Sequence, residues 1–372
     1  MKKNDETSIA IYGAQMVAVS VYYALKTLYP DCKVISFVVS RSEGNPSEID
    51  GVPVVTIAEF ARTDLKVLIA TPENFHAEII QTLQQKGICD YVCIDSKTES
   101  ALMEQYYAQI KAFQSLHTLP CDKSASEDIV VEGTESEGTE SGGAESEVAV
   151  YMSKFWKDRP LKGEYSFPEW IKPIQAGAAL TEERVAEIAD NTGENISVKN
   201  VNYSELTASY WVGKHAQEEY IGLFHYRRIL DVDDCDLKRI LQNDIDVVLP
   251  YPTVHYPDIN EHHKRYLKES DWKAMEQALM ELAPEYAAVL PEIFNGQFFY
   301  NYNMLIAKRQ VFKVYCDWLF PILSRVEELS EPKGSERADR YIGYLGENLT
   351  TLYFMKNKDR LKIAHAGRLM LL

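Results

Sequence analysis

The chain lacks the features that define several large functional classes. No apolar run approaches the ~20 residues needed to cross a bilayer. The opening Met1-Lys2-Lys3-Asn4-Asp5-Glu6 runs straight into a strand-like segment, without the apolar region of a secretory signal. The expected place is therefore the cytoplasm, with a peripheral contact at the inner face of the membrane left open. Paired cysteines are also missing. Cys32, Cys89, Cys93, Cys121, Cys235 and Cys316 are scattered, with no CxxC knuckle to hold a metal, and read as reduced structural residues. Nor is there an excess of positive charge: the net charge is −17. Binding to nucleic acid needs basic residues that displace counterions, so a nucleic-acid partner is not expected. Much of the acidity is local. Nine acids and one lysine lie between Asp122 and Glu147, so the charge says little about the folded parts.

What is present suffices for two cores, with 46% hydrophobic residues in a chain of 372. Strand-like and helix-like runs alternate through residue 113. Strands are expected at 8–14, 33–39, 52–55, 67–70 and 91–94, and helices at 17–28, 57–62 and 75–86. Such alternation implies a parallel sheet with helices on its faces. A Ser/Glu/Gly/Thr-rich segment follows, whose composition buries too little apolar surface to offset its ordering entropy. The domain reading is a Rossmann-like nucleotide- or sugar-nucleotide-binding domain over 1–115, an acidic disordered linker over 116–147, and a second α/β domain over 148–372. In that last part strands are expected at 148–152, 220–224, 246–249 and 304–307. Helices are expected at 182–188, 203–217, 236–242, 271–282, 311–329 and 343–355.

Gly13 closes the first strand and opens the first helix, as a dinucleotide fingerprint requires. However, Gln15 and Ala18 stand where later fingerprint glycines belong, and Val38-Val39-Ser40-Arg41 offers no acidic ribose ligand. Gly13 remains the one candidate nucleotide-binding residue here, beside the reading of a Rossmann shape that binds no nicotinamide cofactor. Glu48-Ile49-Asp50-Gly51-Val52-Pro53-Val54 and Val67-Leu68-Ile69-Ala70-Thr71-Pro72 resemble the Rossmann-like domains in front of bacterial sugar acyltransferases.

Downstream, Ile221-Gly222-Leu223-Phe224 is an apolar strand that delivers His225, Tyr226, Arg227 and Arg228 at its C-terminal end, where open α/β sheets bind ligands. Two arginines can neutralise a diphosphate through bidentate bonds. Asp190-Asn191-Thr192-Gly193-Glu194-Asn195 is a turn-rich loop of donors and acceptors, suited either to sugar hydroxyls or to local Asx-type bonds. Asn202 and Glu205 fit a capping box for a helix starting at Tyr203, with Glu205 facing a ligand as the alternative. The run Asn295–Asn303 alternates aromatic and amide groups, a surface that can stack on sugars or pack as core. Asp231-Val232-Asp233 is a literal acidic pair, of a kind common in loops.

Lys172–Leu180, Asp190–Ser197, Asn200–Ala208, Tyr220–Arg228, Asn303-Met304, Tyr315–Phe320 and Gly343–Leu349 occur in order. Together, over about residues 150–365, they resemble a bacterial capsular and exopolysaccharide biosynthesis family, known as a domain of unknown function and assigned to the GT-A-like glycosyltransferases. The resemblance implies transfer of a sugar from a nucleotide-diphosphate donor to a glycan or lipid-linked oligosaccharide acceptor. It implies donor binding by Gln175, Asp190, Asn191, Thr192, Asn195, Asn202, Glu205, His225, Tyr226, Arg227 and Arg228. Asn301, Asn303 and Met304 would line the acceptor side. Transfer with inversion needs a carboxylate base, for which Glu347 is the first choice and Asp190 the second. A divalent metal (Mn or Mg) is left open, since His-Tyr-Arg replaces the DxD expected at the strand end. Two other readings stand beside this one: a non-catalytic sugar-nucleotide-binding regulator or scaffold, and a nicotinamide-linked sugar oxidoreductase.

Overall fold

The computed structural model describes residues 7–121 and 147–372. Six N-terminal strands, β1 (Thr7–Tyr12), β2 (Cys32–Val39), β3 (Glu48–Ile49), β4 (Val52–Thr56), β5 (Lys66–Ile69) and β6 (Tyr91–Cys93), alternate with helices α1 (Met16–Leu28), α2 (His76–Gln85) and α3 (Ser96–Gln109). The sheet order is β3-β4-β2-β1-β5-β6, and only the β3–β4 pair is antiparallel. Its parallel strands thus run third-second-first-fourth-fifth in chain order, the arrangement of a Rossmann half, with the switch point between β1 and β5. Central β1 is apolar because Ile9 to Tyr12 are buried between helices on both faces. The helix expected over 57–62 is instead a turn. Thr56 donates from its backbone N–H and its hydroxyl to the Glu59 carboxylate, which closes a single turn.

The C-terminal unit begins with β7 (Val148–Lys154), β8 (Ile171–Gln175), β9 (Ile188–Ala189), α4 (Asn200–Tyr203) and α5 (Leu206–His215). It continues with β10 (Tyr220–His225), β11 (Arg228–Leu230), α6 (Asp234–Gln242), β12 (Val247–Pro250) and β13 (Thr253–Val254). Helices α7 (Ile259–Tyr266), α8 (Glu269–Leu282), α9 (Pro284–Ala287) and α10 (Leu290–Phe294) precede β14 (Phe298–Phe299) and β15 (Leu305–Lys308). Last come α11 (Arg309–Leu329), α12 (Tyr341–Asn357), β16 (Ile363–Ala366) and β17 (Arg368–Met370). The main sheet runs β16-β12-β15-β10-β7-β8-β9, with β15 antiparallel to both neighbours and the other pairs parallel. The fold class is mixed α/β with parallel-dominated sheets.

Strand alternation assigns each side chain its layer. Ile221 and Leu223 of β10 face the core under α5, α8, α11 and α12, while Tyr220 and Phe224 face a second layer with Leu230 and Ile240. Two expected helices differ from the structure. Residues 182–187 are irregular, and Ile188 opens β9, because the Gln175 side chain donates to the Glu183 carbonyl and accepts from the Val185 N–H. The helix expected over 203–217 breaks at Ser204, whose φ of 51° separates α4 from α5. Asn202 therefore caps nothing, and its amide donates to the carbonyls of Arg337 and Asp339.

The expected linker also changes at its start. Leu116 is fully buried and its N–H donates to the His365 carbonyl, so the chain lines the edge of β16 before residue 122. Residues 122–146 of that linker lie outside the described residues. Helices α1 and α3 pack on the C-terminal unit. The Ser20 hydroxyl accepts from the Val254 N–H at 3.0 Å, Tyr107 donates to the Pro252 carbonyl at 2.6 Å, and Arg368 pairs with Glu99 at 2.9 Å. Tyr107, Phe113, Tyr251 and Phe298 form one aromatic cluster across the junction.

Candidate functional site

The parallel pairing of β7 with β10 brings two strand ends to the same edge. Beyond β10, Tyr226 and Arg227 form the tip of a hairpin, in which His225 faces Arg228. Beyond β7, the chain supplies Phe155, Lys157 and Asp158. Together with Glu205 ahead of α5, Tyr302 ahead of β15, and Arg340, Tyr344 and Glu347 at the start of α12, these ends enclose a cleft of about 610 Å³. A cleft outside the carboxyl ends of the strands is where an open α/β sheet takes its ligands.

Charges in the cleft are balanced by proximity. Arg340 donates to Glu205 at 3.2 Å, and the other oxygen of Glu205 accepts from Asn303 at 2.8 Å. The guanidinium of Arg228 lies 4.5 Å from the centre of the Tyr302 ring, a cation–π distance. The Nε of Arg227 is buried and has no hydrogen-bond partner among the described residues. A guanidinium donor left so costs free energy until an acceptor arrives.

Tyr302 organises the acid–base groups. Its φ of 75° and that of Asn303, 48°, lie in the left-handed region, uncommon for side chains of this size. In that conformation the Tyr302 N–H donates to Glu347 at 3.2 Å and its carbonyl lies 2.7 Å from Nε2 of His225. Burial, with the charge of Glu205 adding to it, pushes the Glu347 carboxyl up to about 8, against the pull of the Tyr302 N–H, Arg340 and Arg228. Burial lowers the His225 pKa, so the ring favours its neutral form.

The cleft thus unites Glu205, His225, Tyr226, Arg227, Arg228 and Glu347, all expected from the sequence. It does not include the others. Asp190, wholly buried, accepts from the N–H groups of Gly177 and Ala178 at 2.8 and 3.0 Å and from the Ser197 hydroxyl. Its carboxylate is consumed in holding a loop, which corrects both its catalytic and its donor-binding expectation. Gln175 is likewise saturated by backbone. Asn191, Thr192 and Asn195 belong to the same loop outside the cleft: Thr192 is bonded by the Trp211 indole, and the Asn195 amide donates to the Gly193 carbonyl. Asn202 ties down residues 337–339. On the acceptor side, Asn303 supports Glu205 from beneath, Met304 is 1% exposed in the core, and Asn301 donates to Thr253 and to the Met16 sulfur.

Gly13 marks the switch point, and beside it Gln15 bridges from the start of α1 to the loop after β2, its amide donating to Asn45 at 2.6 Å and to the Gly44 carbonyl at 3.3 Å. Asp233 of the acidic pair caps α6 in a capping box with Asp236. Among the described residues no group of three or more His, Cys, Asp or Glu converges. Among the described residues, no helix is long and apolar enough to cross a membrane.

Sequence reasoning missed Phe155, Lys157, Asp158, Arg340 and Tyr344, and held Tyr302 only within the aromatic run 295–303. Two signals could have found some of them. Lys157 and Asp158 follow an apolar strand parallel to β10, so they end at the same edge. Arg340 occupies the N-cap of α12, where a cation opposes the helix dipole and so has another use.

No curated protein matches the chain. Among solved structures, the apo structure of the bifunctional glycosyltransferase WbbM is similar, with 26% identity and a TM-score of 0.52, over 60% of this chain. The match spans 45% of that longer chain, less than half its length. The domain of unknown function DUF4422 matches residues 162–358, which hold most of the cleft. The chain therefore belongs to the DUF4422 family, with a glycosyltransferase-like α/β fold.

Proposed function

We propose that the cleft catalyses transfer of a sugar from a nucleoside-diphosphate sugar to a hydroxyl of a surface glycan, capsular or exopolysaccharide, or of its lipid-linked precursor. The observation that carries this reading is the buried, unpartnered Nε of Arg227 in a cleft that also holds Arg228, Lys157 and Arg340. Anionic oxygens of a diphosphate supply the missing acceptor and match the guanidinium fork. As the bond from the sugar to the diphosphate breaks, Arg227 and Arg228 stabilise the charge left on the leaving group. As the acceptor oxygen bonds to the sugar carbon, its proton passes to the Glu347 carboxylate. Neutralisation by guanidinium groups takes the place of a metal in this scheme. The aromatic walls, Phe155, Tyr226 and Tyr344, offer faces for a base or sugar ring. The likeness to a glycosyltransferase supports the reading.

Thermal shift with UDP, GDP, CMP and their sugars, with and without manganese, tests it. A nucleoside diphosphate should stabilise the protein without manganese. Arg227→Ala should weaken that binding about 10- to 100-fold, the worth of a charge-assisted bond of about 1.5–3 kcal/mol. Slow donor hydrolysis should disappear in Glu347→Gln. Unchanged binding by Arg227→Ala refutes the diphosphate site. Binding without turnover of any donor favours a sugar-nucleotide regulator, and stabilisation by NAD alone a nicotinamide enzyme.

A further inference from the structure

The turn that aims Tyr302 into the cleft is held from outside it by the N-terminal unit. Asn301 donates to the Met16 sulfur at 3.2 Å and to the Thr253 hydroxyl at 2.7 Å, and the Tyr302 hydroxyl lies 3.9 Å from that sulfur. Met16 is the first residue of α1, and α1 is itself fastened by the bond between Ser20 and Val254. On the other side, Asn303 is gripped by Glu205, the Gly343 carbonyl and Thr350. A peptide with positive φ persists only where its surroundings over-determine it. Here the two grips come from different units of the chain.

We propose that Met16 of the N-terminal unit is a positioning residue for the cleft, holding Asn301 and Tyr302 so that the Tyr302 peptide bonds Glu347 on one side and His225 on the other. The unit therefore contributes to the reaction mechanically, through the end of α1. This inference rests on the reading of Glu347 as the base. The groups facing Glu347 are Glu205 ahead of α5, Arg228 from β11, Tyr266 from α7 and Arg340 at the start of α12, with His225 from β10 3.9 Å from Glu205 beside it. Met16 carries no charge of its own, and of these groups Tyr266 also borders the small cavity that Met16 lines. A relaxed Tyr302 peptide withdraws one N–H from the carboxylate, which favours its protonated form.

The experiment is the pH profile of donor hydrolysis by full-length Met16→Ala and Asn301→Ala proteins, with UDP binding measured in parallel. Both variants should move the rising limb to higher pH by about half to one unit. Turnover at pH 7 should fall about three- to tenfold, with UDP affinity within about twofold of the parent protein. Ser96→Ala removes the bond from the Met370 N–H to α3, which loosens the same junction away from α1 and the turn, and should leave the limb in place, which separates positioning from general loosening. Limbs in Met16→Ala and Asn301→Ala that coincide with the parent's overturn the proposal. Parental turnover in Glu347→Gln is a different result, since it removes the base assignment itself and the inference with it.

Discussion

Replacing Glu347 by glutamine should stabilise the protein, and by an amount that depends on pH. The carboxyl is pushed from its ordinary range near 4.5 to about 8 by burial and by the neighbouring Glu205. The folded state thus holds the proton more tightly than the unfolded chain. Stability is lost as pH rises from the unfolded value through the folded one. One pKa unit corresponds to about 1.4 kcal/mol, so the penalty has a ceiling of about 5 kcal/mol. Because Glu347 reaches the cleft, solvent relaxation should reduce this to about 2 kcal/mol. Glutamine keeps an oxygen to accept from the Tyr302 N–H, and it carries no charge to desolvate. Denaturant melts of both proteins from pH 5 to 9 give the difference directly. The advantage of Glu347→Gln should grow from about pH 5 and level off above about pH 8. Stability curves that stay parallel across that range refute the raised value, and with it the picture of a base that is mostly protonated at neutral pH.

Two further substitutions test the reassigned residues. Asp190→Asn places an amide donor against N–H groups that need acceptors, and should cost about 2–3 kcal/mol by denaturant melt while UDP affinity of the folded protein stays unchanged. Gly13→Ala should also destabilise, by about 2 kcal/mol, since φ is +123° and a Cβ would lie 2.6 Å from the Ala70 carbonyl oxygen. Calorimetry of that variant with UDP should match the parent, because the proposed diphosphate site lies elsewhere.

The legible parts of the sequence were those where one strand or helix carries the information by itself. The parallel N-terminal sheet follows from apolar runs alternating with amphipathic ones, and His225 to Arg228 stand out because polar groups end an otherwise apolar strand. Local pattern misled where a polar side chain had two possible customers. The Asp190–Asn195 loop looked ready for sugar hydroxyls and Asn202 for a helix cap, yet Asp190 is satisfied by the Gly177 and Ala178 N–H groups and Ser197, and Asn202 by the Arg337 and Asp339 carbonyls; Gln175, a donor ligand by resemblance, is held by the Glu183 and Val185 backbone. Asn301 and Asn303 adjoin the cleft turn in sequence, but their side chains brace it from opposite sides.

The sequence by itself determined the periodicities, the strand ends and the residue types able to hold a diphosphate, because those depend on neighbours within a few positions. Only the tertiary structure decided which polar groups remain available. Lys157, Glu205, Arg227, and Arg340 with Glu347 reach one cleft from four separate segments. The protonation of Glu347 depends on Glu205, Arg228, Arg340 and the Tyr302 peptide, brought together across 143 residues from position 205 to 347 only by the packing of α5, β10 and α12. Electrostatic energy depends on distance through space and on burial, and neither is written in the spacing along the chain.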